Sequence, residues 1–193
     1  MPGGQYIALS AMQTRLDELD RLSADIANAS TAGYKAERTS QLEADRPSFD
    51  ATLQTAIDVA GGERRLDMRT GAINPTGRDL DLAIEGSGFF TVQTPAGARY
   101  TRNGQFTRST DGTLTTADGA AVMGTSGSIN VGTSGGKISV DPDGTVRSAT
   151  DVAGKLAIVE FDDPAQLVRD GGATLRADGL TPTPSASASV RAG

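Results

Sequence analysis

The sequence predicts a mainly β fold with an N-terminal α-helix: a compact antiparallel β domain plus one long amphipathic helix. Three observations predict it. From Gln5 to Asn28 no Pro or Gly interrupts the chain, and apolar residues recur at three-four spacing. From Gly71 to Gly179, Asn-Gly and Asp-Gly pairs recur, and such pairs supply the positive φ angles of tight turns. Between those pairs lie short stretches in which apolar and polar residues alternate.

The helix comes first. Leu9, Met12, Leu16, Leu19 and Ile26 follow a heptad seam flanked by Leu22, with Ser23 at the one open place. Arg15, Asp17, Glu18, Asp20, Arg21 and Asp25 take the other faces. Such a helix is roughly 36 Å long. Asn28, Ser30, Thr31 and Gly33 mark its end as cap and turn formers. A lone amphipathic helix cannot bury its own stripe, so the seam needs the globular part, a second helix or another molecule.

Four segments follow from this reading: residues 1–33 as the helix, 34–70 as a connecting stretch, 71–180 as the β-rich domain and 181–193 as a flexible tail. Pro47 and Gly61-Gly62 break the connecting stretch, and Phe49, Leu53, Ile57 and Val59 suggest a short helical or extended piece. In the β domain, strands are expected at Leu80–Ile84, Phe89–Val92, Arg99–Arg102, Gln105–Arg108, Lys137–Val140 and Lys155–Phe161. Arg102-Asn103-Gly104-Gln105 is the clearest hairpin turn. The tail is Thr, Pro, Ser and Ala, which builds no core.

Composition narrows the chemistry. Among 193 residues, 18 are Lys or Arg and 24 are Asp or Glu, a formal net charge of −6. That balance argues against nucleic-acid binding and against a polybasic grip on anionic lipid. No apolar run is long enough to span a bilayer, so no membrane insertion is expected. There is no Cys, His or Trp. Disulfides, thiolate nucleophiles, His-based triads and the commonest metal ligands are therefore excluded.

The remaining candidates read as structure. Asp141-Pro142-Asp143-Gly144-Thr145 lacks the ligand series and closing Glu of a calcium loop and reads as a turn. Glu85-Gly86-Ser87-Gly88-Phe89 opens like a phosphate loop, but Thr91 stands where a third Gly belongs. Phe89 and Phe90 then place one ring in the core and one on the opposite face. Asp79 and Asp81 read as a solvated or salt-bridged strand edge, and Asp162-Asp163-Pro164 as a turn or helix start. Asn28-Ala29-Ser30 fits a glycosylation sequon, though helix termination explains this Asn. Arg99, Arg102 and Arg108 make one region basic, suited to a solvated face or an acidic neighbour. No catalytic, cofactor or metal site is expected, and the chain reads as a non-enzyme.

Two ordered sets of residues resemble the flagellar rod and hook family. Ile26-Ala27-Asn28-Ala29-Ser30-Thr31-Ala32-Gly33-Tyr34-Lys35 resembles the segment after that family's first helix. The preceding Ala8-Leu9-Ser10-Ala11-Met12 also resembles the family's opening, and Ala11 and Asp25 depart from the family, where Gly and Asn are usual. Thr76-Gly77-Arg78-Asp79-Leu80-Asp81-Leu82-Ala83-Ile84-Glu85-Gly86-Ser87-Gly88-Phe89-Phe90 and Tyr100-Thr101-Arg102-Asn103-Gly104-Gln105-Phe106 resemble its rod segments. The short link between Lys35 and Gly71 suggests the proximal-rod type more than the distal-rod type.

The resemblance implies a structural subunit of the basal-body rod, polymerising helically to carry torque from motor to hook. It implies partners among copies of itself, other rod and hook proteins and the flagellar type III export apparatus, with a periplasmic rod location and no cleaved signal peptide. It also implies a C-terminal helix pairing with the first as a coiled coil. Here the sequence stops at Val190-Arg191-Ala192-Gly193, about where that helix would begin, so a shortened form is expected. A β-rich binding module with a helical oligomerisation segment is the alternative.

Overall fold

A computed structural model describes residues 3–39, 64–133, 136–149, 151–185 and 187–193. The chain forms two units, Met1–Ser30 with Lys35–Asp67, and Thr31–Tyr34 with Met68–Gly193.

In the first unit, α1 (Gly3–Ala27) runs for 25 residues. Asn28 closes it: its backbone N–H donates to Ala24 O at 3.1 Å and its side-chain amide donates to the same oxygen at 2.8 Å. One Asn thus satisfies a carbonyl that a helix end otherwise leaves open. Beyond the helix, β1 (Glu37–Thr39) pairs antiparallel with β2 (Arg64–Leu66), Glu37 opposite Leu66. Leu66 is buried. Arg38 Nε donates to Asp67 at 2.8 Å. The connecting stretch therefore holds a strand pair at its described ends. The piece expected around Pro47, Phe49, Leu53, Ile57, Val59 and Gly61-Gly62 lies outside the described residues.

The second unit is the antiparallel β domain that the turn spacing predicts. Its first strands are β3 (Leu82–Glu85), β4 (Phe89–Thr94), β5 (Gly97–Thr101), β6 (Phe106–Arg108), β7 (Leu114–Thr116), β8 (Ala121–Gly124) and β9 (Gly127–Ser128). They are followed by β10 (Ile138–Val140), β11 (Thr145–Ser148), β12 (Asp151–Lys155), β13 (Ile158–Glu160), β14 (Val168–Arg169), β15 (Thr174–Arg176), β16 (Thr183–Pro184) and β17 (Ser189–Ala192). The main sheet runs β14-β15-β5-β4-β8-β7-β6, with β13 joining β4 to β16 and β9 pairing β8. β10-β11-β12 form a second sheet, and β17 pairs β3. Leu82, Ile84, Phe90, Phe106, Leu114, Val122, Ile129, Val146, Leu156 and Val190 fill the shared core.

Three local expectations change. Arg102–Gln105 does not close a hairpin: β5 pairs with β4 and β15, while β6 pairs with β7. Neither Asn103 nor Gly104 has a positive φ. Gly104 is there for space instead, because a Cβ would lie 1.8 Å from Leu82 O. Leu82 N donates to Gly104 O at 2.9 Å, so β3 wedges in where the hairpin partner was expected.

The tail is not loose throughout. Ser189–Ala192 pair with β3, Val190 opposite Ile84, and Val190 is buried in the core. One apolar residue among small ones is enough to seat an edge strand when the facing position is apolar. Asp79 and Asp81 do not share a strand edge either. Arg78 to Asp81 form a turn, closed by Asp81 N donating to Arg78 O at 3.1 Å. The turn exposes Asp79 and buries Asp81.

Candidate assembly surfaces

The α1 seam is uncovered. Leu9 is 54% exposed, Met12 64%, Leu16 56%, Leu19 59%, Leu22 46% and Ile26 76%. Leu and Ile of the β domain core are nearly all buried, so exposure here belongs to the position and not to the residue type. A continuous exposed apolar stripe on a long helix is a surface that water disfavours and a partner helix satisfies. No helix among the described residues is long and apolar enough to cross a membrane.

The second surface is a junction inside the β unit, where three stretches far apart in sequence meet. Thr31–Tyr34 dock on the Arg102-Asn103 turn. Gly33 sits at φ +70, and a Cβ there would lie 2.3 Å from Asn103 N. Tyr34 N donates to Thr31 O at 3.3 Å, and the Tyr34 ring lies under the Arg169 guanidinium, 4.5 Å from its centroid. The turn itself is held from inside. Asn103 N donates to Thr101 Oγ1 at 3.0 Å, buried Thr101 donates to Ala173 O at 2.8 Å, and Gln105 N donates to Asn103 Oδ1 at 3.0 Å.

Arg102 ties in the third stretch. Its guanidinium lies 5.3 Å from the Phe89 ring centroid and donates to Gly86 O at 3.0 Å. Burial lowers its pKa from the usual value. Gly86 and Gly88 both have positive φ, and a Cβ at Gly88 would come 2.8 Å from Ile158 Cγ2. Phe89 and Phe90 do face opposite ways, yet both are buried. Phe90 meets Phe106 edge-on at 5.2 Å, while Phe89 and Tyr100 both meet Phe161, at 5.9 and 4.8 Å. The sheet is covered on both sides at β4, so neither ring reaches water. Burial raises the Tyr100 pKa above its usual 10.0.

Other motif residues shape the approach to β3. Gly77 has φ +72, and Arg78 N donates to Thr76 Oγ1 at 3.4 Å. Leu80 packs on the core. Asp81 is buried with Arg78 Nε 3.7 Å away. The structure thus brings Gly33, Tyr34, Gly86, Phe89, Thr101, Arg102, Asn103 and Gly104 into one neighbourhood. Asn28 caps α1 in the first unit, and Lys35 belongs to that unit as well. Arg169 was missed at the sequence level, since nothing local to it signals a ring more than a hundred residues earlier.

Of the three arginines expected to form a basic face, Arg99 and Arg102 turn inward. Arg99 is buried, pairs with Asp170 and donates to Ala98 O at 2.9 Å. Arg102 is held as above, and Arg108 is exposed at the end of β6. Two turns repeat one design. Asp111 accepts from Thr113 N at 3.3 Å and from its hydroxyl at 3.0 Å, and Asp143 accepts from Thr145 N at 3.1 Å and its hydroxyl at 2.9 Å. These hydrogen bonds lower both carboxyl pKa values, with a side-chain hydrogen bond from Ser109 as the first cause at Asp111. Among the described residues no group of three or more His, Cys, Asp or Glu could hold a metal ion.

Comparison with known proteins matches both regions. Residues 83–148 match the family described as flagellar hook protein FlgE/F/G D1 domain, and residues 6–35 match flagella basal body rod protein. The chain is 36% identical over 176 residues to flagellar basal-body rod protein FlgF of Caulobacter vibrioides, covering 89% of this chain and 71% of that one. It is 32% identical over 163 residues to FlgF of Rhizobium meliloti, covering 84% of this chain and 66% of that one. It is also 33% identical over 174 residues to flagellar basal-body rod protein FlgG of Bacillus subtilis, covering 81% of this chain and 66% of that one. With the exposed seam and the motif junction in place, this chain belongs to the flagellar basal-body rod protein family, as an FlgF-like structural rod subunit.

Proposed function

We propose that α1 is the axial element of this subunit and that its seam of Leu9, Met12, Leu16, Leu19, Leu22 and Ile26 pairs with helices of neighbouring rod or hook-family subunits. The observation that carries this is the exposure of all six residues, between 46% and 76%. The energetics favour many neighbours over one. Each half-exposed side chain gains about 1 kcal/mol on burial, so six of them roughly match the lower end of the ~4–15 kcal/mol cost of association. A lone helix pair is then marginal, and a lattice of subunits that shares the cost is stable.

In this reading the β unit forms an outer layer, copies stack helically, and the polymer carries torque in the periplasmic part of the basal body. The subunit acts mechanically, without catalysis, and leaves the cell through the flagellar type III export channel without a cleaved signal. The junction around Arg102-Asn103 supports the mechanical role, because Thr31–Tyr34, directly after the helix, are clamped to the β domain through backbone contacts that tolerate no side chain at Gly33.

The test is Leu16→Asp with Leu19→Asp in cells that depend on this gene for flagellation. Two charges on the seam are expected to abolish incorporation into isolated basal bodies while the protein is still made at normal levels. Normal incorporation would remove the seam assignment.

A further inference from the structure

The layout of the α1 seam says what kind of helix covers it best. Leu9, Leu16 and Ser23 fall at the a positions of the heptad, and Met12, Leu19 and Ile26 at d. The g position just before Leu16 is Arg15, and the e position just after Leu19 is Asp20. The Arg15 side chain is 79% exposed, and Asp20 is exposed as well. Arg15 bonds Glu18 on its own helix at 2.7 Å, a surface pair that is easily exchanged for another carboxylate. In a parallel, in-register pair, each g residue faces the e residue that follows it on the other helix. For Arg15 that residue is Asp20. Two copies of this helix therefore make the Arg15–Asp20 pair twice, once on each side of the seam. They also set Ser23 against Ser23, so that hydroxyl meets hydroxyl. A polar residue at one a position fixes register in this way, since a shift by one heptad sets Ser23 of one copy against Leu16 of the other. An antiparallel pair with Leu9 against Ile26 loses both matches. There g faces g and e faces e, so Arg15 meets Leu22, Asp20 meets Gln13, and Ser23 lies on Met12.

We propose that a second copy of this chain covers the seam of the unassembled subunit, as a parallel, in-register helix pair in which Arg15 of each copy engages Asp20 of the other. This goes beyond the role of the seam in a rod and is a separate state of the chain. A pair of this kind has a two-fold axis along the helices, and a two-fold contact closes on itself. It does not propagate. It shields the apolar stripe of the free subunit from water and gives way when neighbours in a rod take over the seam. The short seam suits that exchange, because a pair that is marginal by itself is readily given up to a lattice. The charges contribute orientation and register more than affinity.

The chain has no Cys, so single thiols report the pairing directly. Leu9→Cys and Ile26→Cys stand at the two ends of the seam, about 25 Å apart along the helix. Asp118→Cys, on an exposed turn of the β unit, sets the background of random collision. Each purified variant is oxidised at about 0.5 mM, where a marginal pair is populated, and its disulfide dimer is measured on a non-reducing gel. Parallel pairing predicts dimer well above background from Leu9→Cys alone and from Ile26→Cys alone, with no gain on mixing the two. Dimer from the mixture only would mean antiparallel pairing, and dimer at background in every sample would mean that another helix covers the seam; either result overturns the proposal. In the Leu9→Cys chain at low salt, Arg15→Glu is expected to cut the dimer yield roughly fivefold, the size of two exposed ion pairs turned repulsive. Asp20→Arg should do the same. The two together put opposite charges back across the seam and should restore the yield, which a folding defect would not do; no recovery would contradict the Arg15–Asp20 contact. Self-pairing and rod incorporation are read separately. Loss of incorporation in Leu16→Asp with Leu19→Asp, alongside no self-dimer above background, would keep the seam in the rod and remove the second copy as its cover in the free subunit.

Discussion

Helix α1 and the β unit use the same apolar residues to opposite ends. Leu114, Ile129 and Val146 are fully or almost fully buried, whereas Leu16, Leu19 and Ile26 are 56%, 59% and 76% exposed. The β unit completes its own core within one chain, down to a C-terminal strand seated by Val190. The helix presents its stripe exposed, and in the proposed reading neighbouring subunits complete it. In a subunit of a polymer these are two complementary tasks. One region must hold its shape before assembly, and the other must gain its structure's full stability by assembling.

The sharpest way to break this contrast is to damage each region in turn. Phe90→Ala removes a fully buried ring that meets Phe106, and the β unit should lose about 3–5 kcal/mol in chemical denaturation. Leu16→Asp and Leu19→Asp should shift the same transition of the isolated chain by less than about 0.5 kcal/mol, as for surface sites. A large loss from the helix variants would mean that the seam stabilises the β unit.

The next effects concern the junction. Gly104→Ala places a methyl 1.8 Å from Leu82 O and Gly33→Ala one 2.3 Å from Asn103 N, both against backbone that cannot swing aside. Each should lower stability by about 2 kcal/mol or more, in the range of overpacked or strained sites. Gly119→Ala is the control: it shares Gly33's positive φ but meets nothing within 4 Å, so its cost should stay near 1 kcal/mol. Thermal melts of the three variants rank them. Arg169→Ala should cost less, about 0.5–1 kcal/mol, for the lost stacking on Tyr34.

The smallest effect is acid sensitivity. Asp111, Asp143 and Asp178 have carboxyl pKa values below the usual 3.8 because Ser109, Thr113, Thr145 and Arg176 hydrogen-bond to their charged forms. A pKa depressed by folding means that the unfolded chain binds the proton more readily. Their contribution is therefore present above pH 3.8 and is lost as pH falls below it towards the folded values. All three are exposed, so the melting temperature should drop only slightly more between pH 4 and pH 2.5 in the parent than in Asp143→Asn with Asp111→Asn.

Much of this organisation is legible in the sequence. The helix, the β class and strands β3 to β6, β10 and β13 follow from period and turn residues, because both patterns are local; β7 to β9, β11 and β14 to β16 were not expected. Asn103-Gly104 shows where local reading stops. It carries the strongest hairpin signal in the chain, yet the glycine serves a contact with Leu82 that only the tertiary fold creates. Gly33 was legible as a helix-end turn but not as a residue pressed on Asn103. The three arginines looked alike in sequence, and burial separated them: Arg99 and Arg102 turned inward, while Arg108 stayed exposed at the end of β6. The strand at Ser189–Ala192 was missed because its signal is a single Val in a polar, small-residue tail. The masking of a partner by distance along the chain is the common cause.

The most direct measurement is hydrogen exchange, residue by residue, on the isolated chain at low concentration and on isolated basal bodies. In the free chain, amides from Leu16 to Ile26 should exchange about a hundredfold faster than those of Val92 and Val122, since a lone helix opens far more easily than a buried sheet. In the assembled rod the helix amides should become as protected as the sheet. Protection of α1 equal to that of the sheet in the free chain would contradict the account, because the seam would then already be satisfied without a partner.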